Sequence, residues 1–282
     1  MTGFTKEYEK VLRGRALAER GGVWFCRLPL LTGAGCDHGF TLRSGGVSPA
    51  PLDSLNLGHN RPDDPKNLAE NYRRFADAAD FPLSSAAIVS YCHGDGIEVA
   101  TKNERGYGFP GALRFPDCDG FITIDPEVTL VTLHADCMPV FLFDPVQKAG
   151  GMIHAGWKGA GLRIGKKATL RMMGEFGSKG ENILAGIGPS ICKNCFEVDE
   201  DVYGIFKNAF PDIDCSEYDG KRRKYLIDLW MVMAAQLCEA GVLPEHIQIS
   251  GECTYCSLDY FSYRRDKKRY GNTGAMAAYL KV

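Results

Sequence analysis

The sequence lacks several features that would assign it to a familiar class of protein. No stretch approaches the roughly 20 apolar residues that cross a bilayer, and the N-terminus has no apolar segment typical of a secretion signal. Neither a GxGxxG motif nor a P-loop is present, which argues against a doubly wound nucleotide-binding fold. The net charge of −2 provides no basic field for nucleic acid. We therefore expect a cytoplasmic protein that binds neither membranes nor nucleic acids.

The cysteine content bears on compartment and on metal chemistry. The 282 residues include 11 cysteines, an odd number without the dense spacing of a small disulfide-bonded domain. A chain of this length can build a large apolar core that needs no disulfide bonds for stability. Reduced thiols, some of them metal ligands, are therefore favoured over disulfides. Hydrophobic residues make up 45% of the chain, and no low-complexity block divides it, which indicates one globular domain.

The order of the predicted elements indicates an α+β protein. Residues 1–22 are charged and are predicted to be an N-terminal extension, mostly a helix over residues 1–20, ahead of one domain over residues 23–282. Apolar and β-branched runs predict the strands, and apolar spacing of three and four predicts the helices. Helices are expected over residues 65–79, 161–176, 199–210 and 226–240. Because strands and helices alternate irregularly, we expect mixed β-sheets in a single layered domain.

The stretch from Asp136 to Gly159 holds the residues with the clearest chemistry. Cys137 precedes the apolar run PVFLFD, a turn follows, and GGMIHA returns to His154 before a glycine-rich corner. A β-hairpin of this kind would bring Cys137 and His154 toward each other. A second imidazole, His93, follows another predicted strand and precedes a glycine-containing loop, which is a common place for functional side chains.

These residue types suit two mechanisms, and the residues alone leave both open. In one, Cys137 is a nucleophile toward a carbonyl carbon, and a histidine lowers the pKa of its thiol, as in a Cys-His hydrolase that acts on an amide. In the other, His93, Cys137 and His154 hold a zinc ion through two nitrogens and one sulfur. The fourth position of the zinc then stays open for water or substrate.

Two further pairs of cysteines have the CxxC spacing, namely Cys192/Cys195 and Cys253/Cys256. The spacing within each pair suits a zinc site, but the gap between the pairs far exceeds the roughly 15–20 residues of a common zinc ribbon. We therefore expect these residues to be core or loop thiols, not ligands of a structural zinc ion.

Taken together, several motifs resemble one known family. The chain is similar to the bacterial and eukaryotic multicopper polyphenol oxidoreductases, or laccase-domain proteins, whose members act as purine nucleoside enzymes. The similarity extends from about Gly39 to Leu280 and rests on RSGGVSPAPLDSLNLG, YCHG, ADCMPV, HAGWKG, GIGPSI, DLW and CTYCSLDYFSYRRD. The sequence departs from the family pattern at Tyr91 and Cys92, where a glutamine and a valine are usual.

The resemblance implies a single domain with α/β/β/α layers and a zinc ion held by His93, Cys137 and His154. It implies phosphorolysis of adenosine, inosine, guanosine and methylthioadenosine, together with deamination of adenosine. Arg265 is our candidate for phosphate binding because a guanidinium offers a bidentate fork. Asn56, in the SLNLG segment, is a further candidate for holding the nucleoside. The expected partners are thus a purine nucleoside and phosphate, while the oligomeric state stays open.

The older oxidase label of this family implies different chemistry. A multicopper oxidase uses a cluster built almost wholly from imidazoles, and the six histidines of this chain are too few for it. Copper in place of zinc stays possible at a Cys/His site. We therefore rank phosphorolysis first, a Cys-His amide hydrolase second and a copper-dependent polyphenol oxidase third.

Overall fold

The computed structural model describes residues 3–89, 91–106 and 118–282, and sixteen strands and eight α-helices lie within them. The strands are β1 Leu12–Arg13, β2 Ala16–Arg20, β3 Val23–Arg27, β4 Asp37–Thr41, β5 Ala86–Ile88, β6 Ile97–Val99, β7 Gly120–Thr123, β8 Thr129–His134, β9 Met138–Asp144, β10 Ala149–Ala155, β11 Leu184–Ile187, β12 Glu197–Val198, β13 Ser216–Asp219, β14 Lys224–Ile227, β15 Ile247–Ile249 and β16 Met276–Lys281. The helices are α1 Gly3–Tyr8, α2 Pro29–Gly33, α3 Pro65–Ala79, α4 Trp157–Gly161, α5 Ile164–Phe176, α6 Glu200–Ala209, α7 Leu229–Glu239 and α8 Tyr263–Tyr270.

Two large mixed sheets pack face to face at the centre of the molecule. The seven-stranded sheet has the order β1-β15-β11-β9-β10-β7-β6, and the six-stranded sheet has the order β2-β3-β4-β16-β8-β5. A small sheet, β12-β14-β13, lies apart from both. Helix α3 covers the outer face of the six-stranded sheet, whereas α5 and α7 cover the seven-stranded one. The predicted α+β class and the α/β/β/α layering are confirmed.

Strand β9 illustrates why the centre is apolar on both faces. All seven of its residues are buried. Side chains alternate across a strand, so Phe141 and Phe143 pack into the core between the sheets, while Val140 and Leu142 pack into the core under the helices. A strand that is covered on both faces has a nearly continuous apolar sequence, as PVFLFD does.

Helix α3 confirms the prediction made from its start signals. The carboxylate of Asp64 accepts a hydrogen bond from the backbone N–H of Lys66 at 2.8 Å, and Pro65 occupies the first helical turn. The buried aromatic rings of Tyr72 and Phe75 face the six-stranded sheet. This packing holds α3 against the six-stranded sheet, close to the SLNLG segment.

The helix predicted over residues 1–20 is wrong beyond Tyr8. Residues 12–13 pair with β15 in one sheet, and residues 16–20 pair with β3 in the other. Strand pairing overrides the local helical preference of these charged residues. The N-terminal segment thus contacts both sheets, and the domain boundary at residue 22 stays a prediction.

Two helix predictions need adjustment, and one helix was missed. Residues 224–227 form β14, so the helix predicted from residue 226 begins at Leu229. The helix predicted from Gly161 begins at Ile164, after the short helix α4. Helix α8, in the SYRRD segment, had not been predicted. None of the helices in the described part of the chain is both long and apolar enough to cross a membrane.

Candidate functional site

The hairpin of β9 and β10 places Cys137 and His154 side by side. In its antiparallel register, His154 lies opposite Pro139 and Ala155 lies opposite Met138, so the residue before β9 meets the end of β10. The side chain of His154 is only 2% exposed. The prediction that the hairpin brings Cys137 and His154 close together is therefore confirmed.

His93 reaches the same point from the loop that follows β5. Its backbone has the left-handed φ of 62°, which is uncommon for a residue other than glycine. The buried carboxylate of Asp119 supports this loop by accepting hydrogen bonds from the backbone N–H groups of Cys92, His93 and Gly94 at 3.3, 3.0 and 2.7 Å. The loop conformation is therefore fixed by three donors that converge on one side chain.

The ligand atoms of His93, Cys137 and His154 all lie within 4.8 Å of one another. Gly156 leaves the space that this cluster needs. A Cβ atom on Gly156 would lie 3.2 Å from Cδ2 of His93 and 3.3 Å from Sγ of Cys137. A Cβ on Gly159 would lie 2.5 Å from the carbonyl oxygen of Gly94, so only glycine lets α4 pack against that loop.

Asp119 also orients His154, and the sequence interpretation had missed this residue. Nδ1 of His154 lies 3.0 Å from Oδ1 of Asp119, and the Asp119 side chain is buried. Burial alone would raise the pKa of Asp119, but the hydrogen bonds from His154, Cys92 and Gly94 outweigh it and lower the pKa to about 2. The only sequence signal was an acidic residue directly before the apolar strand β7.

The thiol of Cys137 is activated by its neighbours. Burial raises the pKa of Cys137, but attraction and hydrogen bonds to His154 and His93 together lower it to about 7. Burial lowers the pKa of His154, yet Cys137 and Asp119 together raise it to about 9. A thiolate is therefore available near neutral pH, which both a metal ligand and a nucleophile require.

A cavity of about 420 Å³ opens over the cluster, a volume typical of small-molecule sites. Its lining is largely aromatic and aliphatic, with the Cys/His cluster and two arginines among it. The lining residues are Asn60, Arg61, Tyr91, His93, Leu133, Ala135, Asp136, Cys137, His154, Ala155, Trp157, Ile191, Phe196, Leu229, Tyr263 and Arg264.

The two arginines of the lining, Arg61 and Arg264, have no carboxylate partner among the residues that the structure describes. The Nε atom of Arg61 is buried without a hydrogen-bond acceptor. Nη1 of Arg264 donates to the Glu197 carbonyl at 3.0 Å, and the backbone N–H of Arg264 donates to the carboxylate of Asp136 at 2.7 Å. Uncompensated cations that face a cavity suit an anionic ligand.

Arg265, the predicted phosphate ligand, lies outside this lining. Its Nη1 donates to the carbonyls of Thr254, Tyr255 and Ser257 at 2.9, 3.0 and 2.8 Å, and its Nη2 donates to the Tyr260 carbonyl at 2.6 Å. Nε of Arg265 donates to the nearly buried carboxylate of Asp266 at 2.7 Å. The guanidinium is thus surrounded by acceptors of its own chain.

Asn56, the other predicted substrate ligand, is also outside the lining and fully buried. Its Oδ1 accepts hydrogen bonds from the backbone N–H groups of Gly58 and Ala275, and its Nδ2 donates to Asp63. These contacts hold the turn that leads into Arg61. Arg265 and Asn56 therefore do not line the cavity, and any effect they have on it is indirect.

The donor set at the cluster fits a zinc ion. Zn²⁺ accepts histidine nitrogen and cysteine sulfur, and three protein ligands leave one position open. Because Nδ1 of His154 contacts Asp119, the Nε2 atom of that ring is the one available to an ion. His93, Cys137 and His154 would hold such an ion, and copper also accepts imidazole and thiolate.

The two CxxC pairs, which were expected to be core or loop thiols, come together in the fold. The sulfur atoms of Cys192, Cys195, Cys253 and Cys256 all lie within 4.8 Å of one another. The long sequence separation does not keep the pairs apart, because the loops that follow β11 and β15 are neighbours in the fold, as the parallel pairing of these strands requires.

Comparisons with known proteins show which family this chain resembles. The family model described as multi-copper polyphenol oxidoreductase laccase matches residues 37–282. A protein of Deinococcus radiodurans named purine nucleoside phosphorylase is 37% identical over 86% of this chain and 88% of its own length. The purine nucleoside phosphorylase YlmD of Bacillus subtilis is 32% identical over 86% of this chain and 87% of its own length.

A solved structure shares the fold. The crystal structure of YlmD from Geobacillus stearothermophilus superimposes with a TM-score of 0.85 at 32% identity, covering 94% of this chain and 97% of the other. Because the similarity covers nearly the whole of both chains, the layered architecture is shared with that protein.

Proposed function

Because the chain belongs to the multi-copper polyphenol oxidoreductase laccase family, and relatives of similar length are named purine nucleoside phosphorylases, we propose that it is a zinc-dependent purine nucleoside phosphorylase. The observation that carries the proposal is a single cavity that combines the Cys/His cluster with Arg61 and Arg264, two arginines that have no carboxylate partner within the described part of the chain. The proposed substrates are adenosine, inosine, guanosine and methylthioadenosine, each with inorganic phosphate.

The two arginines account for the use of phosphate. In phosphorolysis, a phosphate oxygen forms a bond to C1′ of the ribose while the bond from C1′ to the purine nitrogen breaks, which gives ribose 1-phosphate and the free purine. Arg61 and Arg264 would bind the phosphate and hold it against the sugar by charge-assisted hydrogen bonds. Because Arg265 is bound to carbonyls of its own loop, its proposed contribution is to position Arg264 through α8.

The apolar part of the lining suits a purine and its sugar. Tyr91, Trp157 and Phe196 present aromatic surface to the cavity, and aromatic rings bind planar bases by stacking and by excluding water. Tyr91 stands 4.6 Å, ring centre to ring centre, from His154, so a base held by Tyr91 lies beside the cluster. Asn56 would position this site indirectly by holding the turn before Arg61.

His93, Cys137 and His154 would hold a zinc ion, and the ion would supply Lewis-acid chemistry toward substrate oxygen or water. The chain's own contribution is to fix the ligands. Asp119 holds the His154 ring in one orientation and fixes the backbone at His93, while Gly156 keeps the space around Cys137 open. These contacts set the ligand geometry before any substrate enters.

Adenosine deaminase activity is a second candidate at the same cavity. A set of one thiolate and two imidazoles beside a purine pocket is also the chemistry that hydrolytic removal of an amino group requires. Deamination needs no phosphate, so the two reactions separate cleanly in solution. The lowered pKa of Cys137 suits a metal ligand and also suits the rival Cys-His amide hydrolase, in which the thiolate attacks carbon directly.

The oxidase suggested by the family description finds less support. Within the described residues, two groups of three or more side chains could hold a metal, and neither is built from imidazoles alone. Another histidine near the cluster, His134, uses both ring nitrogens, in contacts with the carbonyl of Cys137 and the hydroxyl of Thr132. A trinuclear copper site would need many more imidazoles.

Incubation with adenosine, with and without phosphate, tests the proposal. Adenine that forms only with phosphate supports phosphorolysis, and inosine that forms without phosphate supports deamination. Hypoxanthine that forms only with phosphate supports both reactions in sequence. A protein that releases no free purine base and forms no inosine from any of the four nucleosides, but cleaves amide substrates, would overturn the proposal in favour of the hydrolase.

A further inference from the structure

A group of four cysteine side chains outside the cavity has the geometry of a metal site. The tetrathiol cluster, defined as Cys192, Cys195, Cys253 and Cys256, brings four sulfur atoms within 4.8 Å of one another. The two halves are 61 residues apart in sequence, so the cluster is a long-range feature of the fold. Four thiolates bound to one zinc ion at about 2.3 Å are separated by about 3.8 Å, which agrees with this arrangement.

The loops have the form that cysteine ligands of zinc commonly take. In the first pair, the backbone N–H of Cys195 donates to the carbonyl of Cys192 at 3.0 Å, which closes a tight turn. The backbone N–H of Cys192 also points at Sγ of Cys253, 3.4 Å away. Backbone donors directed at sulfur stabilise the thiolate form that a metal ligand requires.

Disulfide bonds do not account for the arrangement. All four cysteines are free thiols, and Sγ of Cys195 lies 3.4 Å from Sγ of Cys256, well beyond the roughly 2.05 Å of a disulfide. Packing in an apolar core does not account for it either, because Cys256 is exposed and the other three are only partly buried. A set of four convergent thiols at the surface needs a common partner.

The cluster is joined to the wall of the cavity by hydrogen bonds. Ser190, two residues before Cys192, forms a β-bridge with Cys253, and the backbone N–H of Thr254 donates to the Ser190 carbonyl at 3.2 Å. The hydroxyl of Thr254 donates to the carboxylate of Asp136 at 2.6 Å. Ile191 and Phe196, which flank the first cysteine pair, line the cavity.

We propose that the tetrathiol cluster binds a second, structural zinc ion that clamps together two loops and so fixes one wall of the cavity over the Cys/His site. Tetrahedral sulfur sites take zinc or iron, and divalent zinc binds more tightly than divalent iron at a given set of ligands. The ion has all four positions filled by protein, so its role is to stabilise the loops and not to take part in the reaction.

Metal content per chain tests this site. The protein is produced in zinc-supplemented medium and analysed by mass spectrometry of its metals, as wild type and as Cys192→Ser/Cys253→Ser. Loss of one zinc ion per chain in the double variant, with a lower melting temperature, is the expected result. Cys238→Ser is the matched control, because Cys238 is a partly buried thiol outside both clusters and its loss leaves the zinc content unchanged.

The result is independent of whether the Cys/His site itself holds zinc. With both sites filled, wild type contains two zinc ions and the double variant contains one. With only the tetrathiol site filled, these values are one and zero, which supports this proposal and counts against the zinc-dependent function. Equal zinc content in the double variant and wild type would overturn the tetrathiol site, and iron in place of zinc would overturn the metal assignment.

A second measurement applies if the double variant does not fold. Zinc X-ray absorption of Cys137→Ser, which lacks a ligand of the first site, should show four sulfur neighbours at about 2.3 Å. Nitrogen or oxygen neighbours in place of sulfur would contradict the proposal.

The effect on the cavity rests on the proposed function. The variant Cys192→Ser/Cys253→Ser should have a higher KM for the nucleoside with a smaller change in kcat, since the wall residues contact substrate.

Discussion

Oδ1 of Asp119 lies 3.0 Å from Nδ1 of His154, and the same carboxylate accepts the backbone N–H of His93 at 3.0 Å. One buried side chain therefore orients two of the three residues that are proposed to hold the metal ion. Because Nδ1 of His154 is hydrogen-bonded, its other ring nitrogen faces the thiol of Cys137. The metal site thus depends on a residue that is not itself a ligand.

Replacement of Asp119 by asparagine should weaken metal binding. The amide carries no charge and offers one acceptor oxygen in place of two, so the hydrogen bonds to His154 and to the loop of His93 cannot all form. We expect zinc affinity, measured by competition with a chelator, to fall about 10- to 100-fold. Asp95→Asn is the control, because Asp95 pairs with Lys167 at the surface. Unchanged affinity in Asp119→Asn would refute the positioning role.

The two arginines of the cavity should govern the use of phosphate. A hydrogen bond from a charged group contributes about 1.5–3 kcal/mol, so Arg61→Met or Arg264→Met should raise the KM for phosphate about 10- to 100-fold while the zinc content stays constant. Arg73→Met, on the exposed face of α3, is the control and should leave KM unchanged. A normal KM for phosphate in both cavity variants would place the phosphate elsewhere.

Arg265 should matter for stability more than for phosphate. It donates to four backbone carbonyls and pairs with the nearly buried Asp266, so Arg265→Ala leaves several acceptors unsatisfied. We expect the free energy of unfolding to fall by about 3 kcal/mol, as measured by urea denaturation. At temperatures at which Arg265→Ala stays folded, its KM for phosphate should differ little from that of the wild type. An unchanged stability with a raised KM would restore Arg265 as a direct phosphate ligand.

His38 should make the fold sensitive to acid. Burial lowers the pKa of His38 to about 4 and outweighs the hydrogen bond from the ring to the carbonyl of Cys36, which raises it. The other ring nitrogen accepts a hydrogen bond from the N–H of Leu28, which only the neutral ring can do. The unfolded chain takes up this proton first, near its ordinary pKa of 6.5. The stabilisation is therefore complete above pH 6.5 and is lost as the pH falls toward 4.

Urea denaturation at pH 7 and pH 5 measures this effect. Over that range the wild type should lose about 2 kcal/mol more unfolding free energy than His38→Gln, which has no ring to protonate. The comparison with the variant removes the contributions of other titrating groups. An equal pH dependence in the two proteins would show that His38 does not keep its neutral form in the fold.

The sequence predicted the parts of the site that depend on local pattern. Cys137 and His154 flank a short hairpin whose apolar strands and turn are visible in the sequence, so their approach follows from local pairing. His93 was recognisable as a histidine at a strand end. The buried strand β9 and the capped helix α3 were likewise evident from periodicity and from start signals.

What the sequence did not predict depends on contacts between distant segments. Asp119 acts through a loop at residues 92–94 that only the folded sheet brings near. The choice between Arg264 and Arg265 depends on which face α8 turns to the cavity, and α8 itself had not been predicted. The tetrathiol cluster depends on the parallel pairing of β11 with β15, which sequence spacing does not reveal.

Phosphorus NMR of the reaction with adenosine and phosphate tests the central claim most directly. Wild-type protein should form ribose 1-phosphate in equal amount to adenine, chelation should abolish the signal, and added zinc should restore it. Cys137→Ser should stay inactive under the same conditions with added zinc. A protein that forms no ribose 1-phosphate, or forms it at an undiminished rate after its metal has been removed, would contradict the account.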